Sequence, residues 1–145
     1  MKARVISVVN QKGGVGKTTT AVNLATIFAV MDKKVLIIDI DSQGNTSSGL
    51  GIKQTERKIT SYNVFIGLNS IRDAILATEV PNLSIVSANT NLAAIELDLI
   101  HLKNYENILL EKLEEIKNDF DYIIIDCPPS LGLITLNALV ACDEV

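Results

Sequence analysis

Asn10-Gln11-Lys12-Gly13-Gly14-Val15-Gly16-Lys17-Thr18-Thr19 gathers three glycines, two lysines and two adjacent threonines directly after an apolar run. These residue types suit a cradle for phosphate. Gly13, Gly14 and Gly16 can adopt backbone conformations closed to residues with a Cβ, so successive N–H groups of the loop, Val15 included, can converge on phosphate oxygens. A helix starting near Lys17 would aim its free amides and positive dipole end at the same anion. In the common phosphate-loop pattern, Lys17 would reach the β- and γ-phosphates and the Thr18 hydroxyl would sit on Mg²⁺. That pattern asks for a glycine at position 11, where this chain has Gln11, and the loop carries a second lysine, Lys12.

Three carboxylates complete the constellation. Asp39 ends the run Val35-Leu36-Ile37-Ile38, Asp41 follows it, and Asp126 ends Tyr122-Ile123-Ile124-Ile125. All three are expected at the carboxyl ends of strands flanking the glycine loop. Phosphoryl transfer relies on positioning and charge neutralisation, supplied by Mg²⁺, lysines and a group that orients the attacking water. Asp126, closing a hydrophobic strand, is the choice for the Mg²⁺ shell, through water. Asp39-Ile40-Asp41-Ser42-Gln43-Gly44-Asn45 reads as a polar, flexible turn at the end of a central strand, where open α/β sheets bind ligands.

The elements that must hold these residues follow from apolar periodicity. A strand is predicted over 4–9, a helix over 17–31 with Ala21, Leu24, Ala25 and Phe28 on one face, and a strand over 35–39, forming a right-handed parallel unit. Residues 46–51 and the charged run 53–58 read as a mobile surface segment, with Lys53, Arg57 and Lys58 as a solvated face. Short helices are expected over 61–66 and 70–77, a strand over 83–86, and a helix over 92–102 with His101 on its polar edge. A helix over 105–117 turns Leu109, Leu113 and Ile116 inward and leaves Glu111, Glu114 and Glu115 in solvent. After the strand 122–126, Cys127-Pro128-Pro129-Ser130 breaks the chain before an apolar helix over 131–141, suited to burial against the sheet or a neighbour. Asp143-Glu144-Val145 stands where a further strand should begin, which implies an edge of the sheet left open.

The resulting expectation is one α/β nucleotide-binding domain over 1–145, with a mostly parallel sheet flanked by helices on both faces and apparently truncated at its C-terminus. A hydrophobic content of 48% in 145 residues can supply the core of one domain. Thirteen basic against seventeen acidic residues give a net charge of −4, which excludes a general nucleic-acid footprint and leaves any DNA contact local or elsewhere. No apolar run reaches the roughly 18 residues of a membrane span, and Met1-Lys2-Ala3-Arg4 leads directly into a strand, so no membrane association and a cytoplasmic location are expected. Cys127 and Cys142 lack Cys-x-x-Cys spacing and read as buried reduced thiols.

Lys12-Gly13-Gly14-Val15-Gly16-Lys17-Thr18-Thr19 is similar to the deviant phosphate loop of the ParA and MinD superfamily of P-loop NTPases. The run from Asp39 to Asn45 resembles switch I of the ParA and Soj partition proteins, and Asp126-Cys127-Pro128-Pro129-Ser130-Leu131-Gly132 resembles their switch II. The resemblance implies an ATPase that takes ATP and Mg²⁺. It makes Lys12 the signature lysine, Lys17 and Thr18 the phosphate and magnesium residues, Thr19 a contact to the α-phosphate, and Asp41 the hydrolytic aspartate. Family switch I usually has proline where this chain has Ser42, which implies a less rigid switch.

Such ATPases form an ATP-dependent homodimer in which the signature lysine reaches the partner's phosphates. The ATP dimer binds DNA without sequence preference, and a ParB-type centromere-binding partner stimulates hydrolysis in a cycle that segregates chromosomes or plasmids. The resemblance therefore also implies nucleoid association in the ATP-bound state. Only nine residues precede Asn10, which favours the short chromosomal form over plasmid types that carry a helix-turn-helix segment. The likeness covers the first part of a family chain, so later strands, the adenine pocket and the basic DNA-binding surface are expected outside it. Two alternatives stand beside this reading: a MinD-like cell-division ATPase, and a shortened, non-hydrolysing binding fragment.

Overall fold

Short aliphatic runs make the strands, and the runs apolar on both faces suit the interior of a mostly parallel sheet covered by helices. The computed structural model describes residues 2–9 and 15–145, with the side chains of 15–19 outside the description. Among the described residues, β1 (Arg4–Val8), β2 (Val35–Asp39), β3 (Ile75–Ala77), β4 (Leu83–Val86) and β5 (Tyr122–Asp126) form one sheet in the order β1-β5-β2-β4-β3. The first four in that order run parallel, and β3 lies antiparallel to β4 at the edge. The fifth strand is thus inserted between the first two. β2 is buried along its whole length, and so is β5 beyond Tyr122.

Alternate residues of β2 feed two cores. Val35 and Ile37, with Ile85 and Ile124, pack under Ala21, Ala25 and Ala29 of α1 (Val15–Val30). Small residues on that stripe let the helix lie close to the sheet, and Phe28 stacks on Tyr122 with ring centroids 3.9 Å apart. Leu36 and Ile38 face the opposite layer. That layer contains α3 (Ser61–Phe65), α5 (Ile95–Leu99), α6 (Ile108–Glu114) and α7 (Leu133–Ala141). Helices on both faces match the expected architecture.

The helix expected over 70–77 divides. Ser70 caps α4 (Ile71–Ala74) by accepting from Asp73 N at 3.3 Å, and the chain then extends so that Ile75 pairs with Val86. Edge pairing supplies hydrogen bonds to backbone that would otherwise need another helical turn. The segment 92–102 is likewise shorter as a helix: a 3₁₀ stretch, Thr90–Ala94, capped by Asn89, leads into α5. In α6 and its continuation Leu109, Leu113 and Ile116 are buried, whereas Glu111, Glu114 and Glu115 are exposed, as the spacing predicts.

The last helix starts two residues later than the sequence implies. The Glu96 carboxylate accepts from Leu133 N at 2.7 Å and Ile134 N at 3.2 Å, so α5 supplies the cap that α7 lacks locally. A Cβ at Gly132 would collide with that carboxylate. Only one face of α7 is buried, around Ile134, Ala138 and Ala141, while Leu136, Leu139 and Val140 remain exposed. Beyond it Glu144 makes a single parallel bridge to Ile6 on the outer edge of β1. His101 is exposed, Cys127 is buried, Cys142 is half-buried, and neither cysteine is in a disulfide among the described residues. Among the described residues no helix is long and apolar enough to cross a membrane.

Candidate functional site

Three strands end together at one rim of the sheet. Val8, Asp126 and Asp39 stand in register on β1, β5 and β2, and two further backbone bonds extend the ladder, Cys127 N to Val8 O at 3.1 Å and Ile40 N to Asp126 O at 3.0 Å. Asp126 therefore has its backbone held from both sides. Asp39 and Asp126 are buried neighbours, 0% and 1% exposed.

The Asp39 carboxylate accepts three hydrogen bonds from neutral donors: Asp41 N at 3.1 Å, Ser47 N at 3.0 Å and Ser47 Oγ at 2.7 Å. Burial pushes its carboxyl up to about 7; the Ser47 hydroxyl opposes that shift and the neighbouring Asp126 charge adds to it. Asp126 accepts from the Thr46 hydroxyl. Asp41 is nearly buried, and its side chain accepts from Gln43 N at 3.0 Å while its carbonyl accepts from Gly44 N at 2.9 Å. Gly44 has a φ of 65°, and a Cβ there would lie 2.7 Å from an Arg57 nitrogen, so glycine suits both the turn and the approach.

The segment 46–51 is not a mobile surface. Asn45–Gly49 forms α2, and Thr46 and Ser47 are fully buried with their hydroxyls on the two strand-end carboxylates. Hydroxyl-rich runs read as loops because such side chains compete locally for backbone groups; buried acceptors nearby reverse that preference here. Arg57 is also buried rather than solvated. Its guanidinium donates to Ile52 O at 3.1 and 2.6 Å, to Ala88 O at 3.1 Å and to Ser48 Oγ at 3.0 Å, tying α2 to the segment after β4. Lys53 and Lys58 are exposed, as the charged run implies.

Lys12, Gly13 and Gly14 lie outside the described residues. Val15, Gly16, Lys17, Thr18 and Thr19 open α1 and are described in backbone alone. The structure brings together Asp39, Asp41 and Asp126. It adds Thr46, Ser47 and Arg57, which sequence reasoning missed; the available signal was three hydroxyl residues, Thr46-Ser47-Ser48, directly after the carboxylate turn. Among the described residues no cluster of three or more His, Cys, Asp or Glu is arranged to hold a metal ion. The chemistry of the Asp39 and Asp126 pair nevertheless fits a hard divalent cation, because two desolvated carboxylates are hard oxygen groups whose charge such an ion would offset.

An AAA-domain family matches residues 3–145. The sporulation initiation inhibitor protein Soj of Bacillus subtilis is 48% identical over 142 residues, covering 98% of this chain and 56% of Soj. The chromosome partitioning protein ParA of Caulobacter vibrioides is 45% identical over 144 residues, covering 98% of this chain and 54% of that protein. The chain thus spans about half the length of these relatives. Among solved structures, cobyrinic acid a,c-diamide synthase from Mycobacterium smegmatis with bound ADP and magnesium superposes with a TM-score of 0.92 at 36% identity, over 97% of this chain and 57% of that one.

Proposed function

The chain belongs to the AAA-domain family and, within it, to the ParA/Soj partition ATPases, and on that footing we propose that it binds and hydrolyses Mg²⁺-ATP where β1, β5 and β2 end. Hydrolysis belongs to a cycle of ATP-dependent dimerisation that serves chromosome or plasmid segregation. The observation that carries this reading is the in-register pair Asp39 and Asp126, buried beside the end of the strand that leads into the glycine loop. A merely structural rim has no use for two desolvated carboxylates side by side.

In this reading the backbone from Lys12 to Gly16 cradles the phosphates, Lys17 contacts the β- and γ-phosphates, and Thr19 contacts the α-phosphate. Thr18 and Asp126 hold Mg²⁺, Asp126 through water. When bound, the ion offsets charge on the phosphate oxygens. Asp41 orients the attacking water; the bonds that Asp41 accepts from Gln43 N and Gly44 N, which fix its turn, support a positioning role. Lys12 contributes to the site of the partner protomer. A ParB-type protein stimulates turnover, and the ATP-bound dimer binds DNA without sequence preference. The protein works in the cytoplasm, associated with the nucleoid when ATP-bound.

The test is titration of a fluorescent ATP analogue with and without Mg²⁺, followed by sizing. Saturable, Mg²⁺-dependent binding and a doubling of mass with ATP are expected. Absence of saturable binding overturns the site, and binding without a mass change overturns the dimer cycle.

A further inference from the structure

Consecutive residues in the first turn of α2 reach two different strands. Thr46 Oγ1 donates to Asp126 Oδ2 at the end of β5, while Ser47 N and Oγ donate to Asp39 Oδ2 at the end of β2. Ser47 Oγ also accepts from Ala88 N at 3.0 Å, beyond β4. The start of α2 therefore rests on three neighbouring strand ends, and Asp41 lies on the short span between β2 and α2. Nothing in the sequence pattern required the hydroxyl of Thr46 to cross to β5 instead of bonding within its own segment.

We propose that Thr46 is a positioning residue that couples Asp126 to the Asp41 turn, one hydroxyl setting both the carboxylate and the start of α2. This rests on the reading of the strand ends as a Mg²⁺-nucleotide site. The backbone of Asp126 is held between β1 and β2, and the Thr46 hydroxyl bears on the torsion of its side chain. A hydroxyl donating to a carboxylate sets it directionally. The same bond anchors the first turn of α2 beside the Ser47 bonds to Asp39 and Ala88, so displacement of the Asp126 carboxylate is transmitted through Thr46 to residues 41–45. Arg57 holds the far side of α2 through Ser48 Oγ and Ala88 O, leaving the Thr46 end as the one that answers to Asp126.

Thr46→Val keeps the shape and removes the donor; Thr46→Ser keeps the donor. In the full 145-residue chain two readouts are taken: the Mg²⁺ concentration for half-maximal binding of a fluorescent ATP analogue, and amide hydrogen exchange over 42–48 without nucleotide. Groups that orient a metal's ligands affect metal affinity by about 10- to 100-fold. Thr46→Val is expected to raise the Mg²⁺ requirement about tenfold, within that range, and to speed exchange at 42–44 as well as 46–48. Thr46→Ser should restore both. If Thr46→Val does not fold, Thr46→Ala, which also removes the hydroxyl, is read in its place. A lowered melting temperature with an unchanged Mg²⁺ requirement per folded molecule, or faster exchange confined to 46–48, would overturn the coupling. Failure of the unaltered chain to bind nucleotide in a Mg²⁺-dependent way overturns the site reading instead, and the exchange comparison still decides the link between Thr46 and the Asp41 turn.

Discussion

Asp39 and Asp126 face each other in register across the β2–β5 pairing, two buried carboxylates on adjacent strands. The carboxyl of Asp39 titrates at about 7 in the folded chain against an ordinary value of 3.8. Between those values the folded chain keeps a proton that the unfolded chain has released, so this group's contribution to stability falls as pH rises from about 4 to about 7 and is level above that. Asp39→Asn removes the titration. Urea midpoints of both proteins at pH 5 and pH 8 isolate the effect: the variant should gain on the parent as pH rises, by on the order of 1–4 kcal/mol. Parallel pH profiles would contradict it.

Arg57 gives the second prediction. Arg57→Leu strips donors from Ile52 O, Ala88 O and Ser48 Oγ, all of which the guanidinium serves. Chemical denaturation should show a loss of about 3 kcal/mol, whereas exposed Lys53→Ala should stay within about 0.5 kcal/mol. Equal effects from the two would return Arg57 to the solvated face its sequence context implied.

That contrast shows where the sequence was readable. Val35-Leu36-Ile37-Ile38 and Tyr122-Ile123-Ile124-Ile125 could only be strands buried on both faces, and an aspartate closing each had to arrive at the same rim of a parallel sheet. The stripe Leu109, Leu113 and Ile116 was legible for the same reason: apolar period reports burial. Polar residues carry no such signal. Thr46 and Arg57 are buried because acceptors on distant parts of the chain, Asp126 and Ala88, satisfy them, and Ser47 because its hydroxyl reaches back to Asp39 at the end of β2; no apolar period records such partners. Glu96 capping α7 from α5 is another long-range polar contact of this kind. Ile75 was equally ambiguous, fitting a helix face until β4 offered it an edge.

The two lysines of the loop should separate by variant. Lys17→Ala is expected to abolish ATP binding, since the proposed role of Lys17 is to serve the nucleotide of its own protomer. Lys12→Ala should leave binding by the monomer intact and impair ATP-dependent dimerisation. Fluorescent-nucleotide titration with sizing checks both, and equal loss of binding in the two variants would remove the trans role of Lys12.

Asp41 tests the account most directly, because it is assigned to the water and not to the metal. Asp41→Ala should bind ATP and Mg²⁺ about as well as the parent while releasing phosphate far more slowly, on the order of 100-fold or more, since the interaction proposed for it is one made chiefly in the transition state. The decisive measurement is phosphate release per folded, nucleotide-bound molecule for Asp41→Ala beside the parent. Accumulation of an ATP-bound dimer with little turnover is the expected result. An unchanged rate per bound ATP, with only a stability loss of about 1 kcal/mol from the broken turn, would assign hydrolysis elsewhere and contradict the account.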